Sequence, residues 1–291
     1  MSQIAAPPET ADTSAARVRP RLSRTFSRSR WPEYRSFLLA ARDHGYRISS
    51  LEQWVRARDQ LEEEGSPLLI LRHDVDQHPR SALTMAAIEE EMEVRSSWYF
   101  RWRTAHPAVV RDLRDRGFEV GLHYETLTRM ALEQGLPGPA DEALIESGRR
   151  ALRNEIAAFA RLFGPIRAVV PHGDSRVPAV HNAELLRGQD VAPYGIEFDG
   201  NDAMRGWKLG HWLTDRISAE GRWKDGVDPA DLFTDGVTPI LSVIHPNNWA
   251  SGWSLWVDRI AGALLPSAWD AGREPGRPIR TGSDAPPRLD E

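Results

Sequence analysis

Cysteine is absent from this sequence of 291 residues. Its absence excludes disulfide bonds, thiolate metal ligands and a cysteine nucleophile, so any metal would have to be bound by His, Asp or Glu. Long apolar runs are also missing, because charges or turn residues interrupt each one well short of a bilayer span. Neither Gly-x-Ser-x-Gly nor Gly-x-x-x-x-Gly-Lys occurs, so serine-triad and phosphate-loop chemistry have no support.

Lysine is nearly absent, occurring only as Lys208 and Lys224, and arginine carries almost all of the positive charge. A net charge of −5 and a pI near 6.0 argue against nucleic-acid binding, since that class usually shows a basic domain or stripe. We therefore expect a small-molecule or saccharide substrate and neither a nucleic-acid nor a membrane partner. The sequence leaves the oligomeric state open.

The two ends of the chain differ in composition from its middle. Residues 1–30 are rich in Ala, Ser, Pro and Arg and contain no apolar segment typical of a secretory signal. The last twenty residues are rich in proline and have almost nothing to bury. We predict disordered tails at residues 1–30 and 271–291, one folded domain over residues 31–270, and a cytoplasmic location.

Apolar runs alternate with helical patterns along the folded part, which predicts βα units in a parallel sheet. The predicted strands are LLIL at 68–71, SWYF at 97–100, FEVGL at 118–122, IRAVV at 166–170 and PILSVI at 239–244. The predicted helices are Trp31–Tyr46, one capped by Ser50 that runs to Leu61, Pro79–Met92, one after Pro107, Asp141–Phe163 and Leu255–Leu265. Residues 180–238 have poor periodicity, and we expect long loops with short elements there.

Polar residues collect where the predicted strands end, which is the edge where parallel βα proteins bind ligands. They are Arg72-His73-Asp74-Val75-Asp76, His123-Tyr124-Glu125, Pro171-His172-Gly173-Asp174 and His245-Pro246. Clustered histidine and carboxylate are typical of metal and catalytic sites. We predict one divalent metal ion bound by Asp76, His123 and either His172 or Glu125. Zinc is the expected ion, and cobalt, manganese, nickel or iron are alternatives.

These motifs, in this order, resemble the polysaccharide deacetylases of the NodB-homology group of carbohydrate esterases. The resemblance covers residues 67–265. The segment from His73 to Asp76 resembles the family's Asp-Asp pair with one residue inserted, and the segment from Leu241 to His245 resembles its Leu-x-His. Only His123 of the family's His-x-x-x-His pair is present, because the later position is Leu127. The fold implied is α/β: a distorted, incomplete (β/α) barrel with a helical N-terminal lead-in.

The resemblance implies a metal-dependent deacetylase that removes an acyl group, such as N-acetyl, from an amino sugar or related small amide. Asp74 is then the general base and His245 the general acid, although the inserted Val75 permits Asp74 and Asp76 to exchange roles. Backbone N–H groups near Gly173 would stabilise the oxyanion. The residues expected to contact substrate are Arg72, Tyr124, Gly173, Asp174, Trp249 and Trp253.

Two alternatives fit part of the pattern. Asp-Val-Asp after a buried strand is also how metal-dependent glycosyltransferases hold a nucleotide-sugar diphosphate, which would explain Asp74 and Asp76 but not the histidines. A non-catalytic, deacetylase-like binding protein that has lost its metal would explain the missing second histidine. The metal content of the purified protein separates the non-catalytic alternative from the two metal-dependent enzymes.

Overall fold

The computed structural model describes residues 28–136, 138–205, 209–215 and 223–257. The predicted tails lie outside the described residues except for residues 28–30, and the predicted helix Leu255–Leu265 lies outside them beyond residue 257. Residues 252–257 are helical. Within the described ranges, no helix has the length and apolar character needed to cross a membrane.

Eight parallel strands form one curled sheet. They are β1 (Arg47–Ser50), β2 (Leu68–Val75), β3 (Ser97–Phe100), β4 (Glu119–Tyr124), β5 (Ala168–Pro171), β6 (Phe198–Asp199), β7 (His211–Thr214) and β8 (Ile240–Ile244). Their order is β6-β5-β4-β3-β2-β8-β7, and β1 pairs with the first half of β2. No pairing between β6 and β7 is found in the described ranges, so the sheet is a distorted, incomplete (β/α) barrel, and the predicted fold class is confirmed.

Helices connect most of the strands. They are α1 (Trp31–Asp43), α2 (Leu51–Glu63), α3 (Arg80–Glu91), α4 (Pro107–Asp115), α5 (Thr126–Gln134), α6 (Glu142–Phe163), α7 (Gly200–Arg205) and α8 (Pro229–Thr234). The predicted cap Ser50 accepts a hydrogen bond from the Gln53 N–H at 3.0 Å, and Asp141 accepts one from the Leu144 N–H at 2.8 Å. These bonds satisfy N–H groups that the first turn of a helix leaves unpaired.

All five predicted strands are present, whereas β1 and α5 were not predicted. The segment Arg47–Ser50 contains one apolar residue, so its strand conformation depends on pairing with β2 rather than on a local pattern. The short helix α5 was not predicted because its apolar pattern is weaker than those of its neighbours, the apolar strand β4 and the long amphipathic helix α6. The region 180–238 holds short elements, as expected.

Alternate residues of each strand face two separate hydrophobic layers. In β2, Leu68 and Ile70 belong to a cluster inside the barrel, whereas Leu69 and Leu71 pack between the sheet and the helices. Helix α2 contributes Trp54 to the inner cluster. The Leu51 N–H donates to the Ser97 hydroxyl and the Glu52 N–H to the Glu119 carboxylate, so α2 covers the end of the barrel where β3 and β4 begin. The opposite end is left for the site.

Gly121 of β4 is required by the crowding inside the barrel. A Cβ at this position would lie 2.6 Å from the Tyr99 ring and 2.4 Å from the Ala168 carbonyl oxygen. Tyr99 is the residue of β3 paired with Gly121, and it is fully buried. The neighbouring ring therefore occupies the space that a larger residue would need.

Two acidic side chains, the buried Glu52 and the half-buried Glu119, lie together at the α2 end of the barrel. Glu119 accepts hydrogen bonds from the hydroxyls of Ser50 at 2.6 Å and Ser97 at 2.5 Å. Burial, with the charge of Glu119 added to it, raises the pKa of Glu52 from 4.5 to about 8. Glu52 is therefore protonated in the folded protein at neutral pH.

We predict that Glu52 makes stability depend on pH. The pKa of Glu52 is near 4.5 in the unfolded chain and about 8 in the folded protein. Its contribution to the stability of the folded state is therefore fully present below pH 4.5 and is lost as pH rises through about 8. Each unit of pKa difference between the folded and unfolded states changes the free energy of unfolding by about 1.4 kcal/mol. Between pH 5 and 8, the free energy of unfolding of the native protein should fall relative to that of Glu52→Gln, as measured by urea denaturation.

The control is Glu63→Gln on the exposed side of the same helix. It should follow the native protein across the whole pH range. Parallel pH profiles for the native protein and Glu52→Gln would show that Glu52 is already ionised in the folded state.

Candidate metal centre

Three histidines project into the barrel at the carboxyl ends of three parallel strands, β4, β5 and β8. His172 stands two residues after Val170, and His245 stands two residues after Val243, and both valines belong to the inner cluster. His123 stands two residues after the crowded Gly121. Because successive strand side chains point to opposite faces, this spacing directs all three imidazoles to the inside of the barrel.

Asp76, His123 and His172 each place a potential ligand atom within 4.8 Å of the others. Asp76 Oδ1 lies 3.3 Å from His123 Nε2, and Asp76 Oδ2 lies 3.7 Å from His172 Nε2. The Nδ1 atom of His123 donates to the Val170 carbonyl oxygen at 3.1 Å, so Nε2 is the nitrogen that faces Asp76. The structure thus brings together the ligand set predicted from the sequence, with His172 as its third member.

The donor set and its electrostatics fit a divalent cation. The buried Oδ1 of Asp76 has no hydrogen-bond partner among the described residues. Burial alone would raise the pKa of Asp76, but the imidazoles of His123 and His172 hold it below its ordinary value, so the carboxylate is ionised. Burial lowers the pKa of His172 and so favours the neutral imidazole that metals bind.

Glu125, the alternative third ligand, lies on the far side of His172. Its Oε1 is 3.6 Å from His172 Nδ1, and its carboxylate forms an ion pair with the buried guanidinium of Arg101. Glu125, His172 and Asp174 form a second group of possible ligand atoms within 4.8 Å of one another. The imidazole of His172 therefore stands between two sets of carboxylates.

His245 is held by an aspartate that the sequence did not reveal. Its Nδ1 lies 2.7 Å from Asp215 Oδ1, and the indole N–H of Trp249 donates to Asp215 Oδ2 at 2.8 Å. Its Nε2 points the other way and lies 3.7 Å from Asp76 Oδ2. Burial would lower the pKa of His245, but Asp215, with smaller contributions from Asp74 and Asp76, raises it to about 9. His245 therefore carries a proton at neutral pH beside the Asp76 cluster.

Asp74 is bound by an arginine two residues earlier in the same strand. The Nε and Nη2 atoms of Arg72 donate to its two oxygens at 2.8 and 2.7 Å, and Arg72 Nη1 donates to Asn201 at 2.7 Å. Burial would raise the pKa of Asp74, but Arg72 and His123 lower it. Asp74 is therefore an ionised carboxylate, and its Oδ2 lies 3.6 Å from His123 Nε2.

Three residues expected to contact substrate are buried and engaged elsewhere. Arg72 holds Asp74, the Tyr124 hydroxyl donates to Asp199 at 2.8 Å, and Trp249, only 2% exposed, holds Asp215. These side chains were expected to face a ligand, but the polar group of each is bonded to a buried carboxylate instead. The partners of Tyr124 and Trp249 lie far away in the sequence, and the partner of Arg72 lies on the same face of its strand. They support the site without presenting a face to a ligand.

The other three expected contact residues lie nearer to solvent. Gly173 has open space where a side chain would stand, and Asp174 accepts hydrogen bonds from the exposed Arg176. The indole of Trp253 is 63% exposed and stacks on Trp256 with 5.0 Å between ring centroids. The position of Trp253 is thus compatible with ligand contact.

Asp215 escaped the sequence analysis because its strand gives a weak signal. It directly follows β7, whose residues His211–Thr214 include only one that is buried. The strand order places β7 beside β8, which carries His245 at its end. In the other strands, candidate residues were identified because they directly follow a predicted strand. Asp215 would have been identified in the same way if β7 had been predicted.

No family model and no curated protein matches this chain. Two solved structures share 12% sequence identity with it: a mutant of a CE4 family pseudoenzyme with restored enzymatic activity, at a TM-score of 0.37, and a mutant of a CE4 family pseudoenzyme, at 0.36. Each match covers 68% of this chain and 62% of the other, so the chain spans less than two thirds of the length of these neighbours. At these values the likeness does not establish family membership.

We predict that Asp215→Asn lowers the pKa of His245 from about 9, because the largest contribution that opposes burial is removed and only those of Asp74 and Asp76 remain. The measurement is the pH dependence of the His245 imidazole proton shifts by NMR, in protein kept free of metal by a chelator. Asp174→Asn removes a carboxylate that does not touch His245 and should leave its titration unchanged. An unaltered His245 titration in Asp215→Asn would contradict this assignment.

Proposed function

We propose that this protein is a metal-dependent deacetylase that hydrolyses a non-peptide C–N amide bond in an amino sugar or a related small amide. The observation that carries this proposal is the group of Asp76, His123 and His172 with a protonated His245 beside it. Amide hydrolysis needs an activated water and a proton for the leaving amine, and these two features supply the means for both.

Asp76, His123 and His172 would hold the metal, for which zinc suits the nitrogen-rich donor set best and cobalt, manganese, nickel or iron are alternatives. A divalent ion held by these residues would supply Lewis acidity to the acyl carbonyl and to water. The inner cluster and helix α2 close the barrel behind these residues, so substrate must approach from the edge where the strands end.

The ionised Asp74 is the group that removes a proton from the attacking water. Arg72 holds both oxygens of this carboxylate in place, and Oδ2 faces His123 Nε2 and thus the proposed metal position. Asp76 is less suited to this role because its two oxygens face the histidines of the metal group. The roles that the inserted Val75 left open are therefore assigned as Asp74 the base and Asp76 the ligand.

His245 is the group that donates a proton to the leaving amine. Asp215 binds Nδ1, so the proton on Nε2 faces the interior of the site. An amine is a poor leaving group until it is protonated, and a neighbouring carboxylate that keeps the imidazole charged therefore serves the reaction.

For the sugar, we propose contact with the exposed indole of Trp253. It borders a groove of about 480 Å³ that also contains Trp31 and Arg80, and Arg80 begins the helix that follows the Asp76 loop. A flat aromatic side chain presents a large area with few rotors to freeze, which suits the apolar face of a sugar ring.

The glycosyltransferase alternative is disfavoured by the position of Asp74. That chemistry would require the oxygens of Asp74 and Asp76 to share one cation, but Arg72 already binds both oxygens of Asp74. It would also leave the pairing of His245 with Asp215 without a role.

We predict that the purified protein binds one divalent metal ion per chain and that His123→Ala and His172→Ala each abolish this binding. Elemental analysis of protein purified without a chelator provides the measurement, and circular dichroism verifies the fold. His44→Ala, which alters an exposed histidine at the end of α1, should retain the metal. Stoichiometric metal in His123→Ala would refute the proposed centre.

We predict that Asp74→Asn lowers turnover of an N-acetylated sugar about 100- to 10,000-fold without releasing metal.

His245→Ala should lose most activity on amides and least on activated aryl esters, because aryl oxide leaves without protonation. The two measurements are steady-state rates on both substrate types and metal content.

Loss of metal in Asp74→Asn would reverse the assigned roles of Asp74 and Asp76. Equal losses on amides and esters in His245→Ala would show that His245 binds substrate or metal instead of donating a proton. An active protein without metal would contradict the proposed mechanism as a whole.

A further inference from the structure

The imidazole of His172 presents each of its ring nitrogens to a different carboxylate. Nε2 lies 3.7 Å from Asp76 Oδ2, and Nδ1 lies 3.6 Å from Glu125 Oε1. Nδ1 is buried and has no hydrogen-bond partner within bonding distance among the described residues. If Nε2 binds the metal, Nδ1 carries the proton, and Glu125 is the acceptor toward which this proton points.

A second metal ion between Glu125, His172 and Asp174 is the competing interpretation of this geometry. Both carboxylates of that group already have a cation: Arg101 pairs with Glu125, and Arg176 binds Asp174 with a shortest distance of 2.6 Å. Asp76 differs, since its neighbours in the group are imidazoles. A second ion would have to displace two guanidinium groups, so the charges favour a single ion on the Asp76 side.

We propose that Glu125 is a positioning residue that accepts a hydrogen bond from Nδ1–H of His172 and thereby holds Nε2 toward the metal. This inference rests on the proposed metal-dependent function. The present 3.6 Å separation closes to hydrogen-bond distance with a shift of under about 1 Å, which a side chain makes readily when a ligand binds. Arg101 is the third member of this chain of contacts, because its buried guanidinium fixes the Glu125 carboxylate.

The arrangement has a clear physical benefit for an imidazole ligand. A carboxylate on the remote nitrogen selects the tautomer, fixes the ring plane and raises the basicity of the coordinating nitrogen. His123 obtains the same support from the backbone carbonyl oxygen of Val170. His172 has no backbone carbonyl oxygen at Nδ1 within the described ranges, and Glu125 replaces it.

The test compares three variants by titrating chelator-treated protein with Co²⁺ and recording the visible absorption. Glu125→Gln keeps the size of the side chain but removes its charge, and it should weaken Co²⁺ binding about 10- to 100-fold while keeping one ion per chain. Asp174→Asn alters the other carboxylate of the competing group and should bind as the native protein does. Glu133→Gln, exposed on α5, is the surface control.

A second readout reports on the ring itself. In ¹H–¹⁵N spectra of the Zn²⁺-loaded native protein, His172 should show a protected, downfield Nδ1–H signal, identified by its loss in His172→Ala. In Glu125→Ala this signal should move upfield or disappear by exchange, while Nε2 keeps the shift of a metal-bound nitrogen. A purely structural role for Glu125 would not move the Nδ1–H signal selectively.

The outcomes separate this inference from the proposed function. One ion bound by the native protein, with unchanged affinity and an unchanged Nδ1–H signal in the Glu125 variants, overturns the role of Glu125 alone. Two ions per chain, with loss of one in Asp174→Asn, would establish the competing second site. Native protein that binds neither Co²⁺ nor Zn²⁺ overturns both the metal-dependent function and the inference.

Discussion

The alternation of side chains along parallel strands is the constraint on which the site depends. Asp74 and His123 lie within β2 and β4, His172 and His245 directly follow β5 and β8, and all four face the inside of the barrel near the same edge of the sheet. His73, one position from Asp74, points the other way, and its Nε2 lies 2.6 Å from Glu89 under the helices. A slip of one residue in β2 would exchange these two side chains and destroy the site.

The carboxylates inside the barrel differ in the charged groups that they face, and this difference separates their roles. Asp74 is matched by Arg72, Glu125 by Arg101 and Asp215 by His245. Buried charges are stable only when paired, and each of these carboxylates has a cationic partner in the structure. Asp76 faces the imidazoles of His123 and His172 instead of a guanidinium group, and it is therefore the carboxylate of this group whose position suits a cation.

Much of the fold and of the candidate site could be predicted because it depends on local sequence patterns. The apolar runs at β2 and β8 mark buried strands, and the residues that follow such strands must meet at one edge of a parallel sheet. The absence of cysteine reduced the possible ligands to imidazole and carboxylate. Asp215 could not be found in this way, since the half-exposed strand before it carries no distinct apolar pattern.

The sequence by itself determined the parallel βα architecture, the ends of the main strands and the residues that stand there. Only the tertiary structure decided which of these residues face one another: that His172 rather than Glu125 joins Asp76, that Arg72 turns back to Asp74, and that Trp249 is buried against Asp215. The physical reason is that periodicity reports the environment of a side chain one strand at a time. The partner of a buried charge, in contrast, depends on how distant strands are ordered around the barrel, and β7 and β8 became neighbours only through that order.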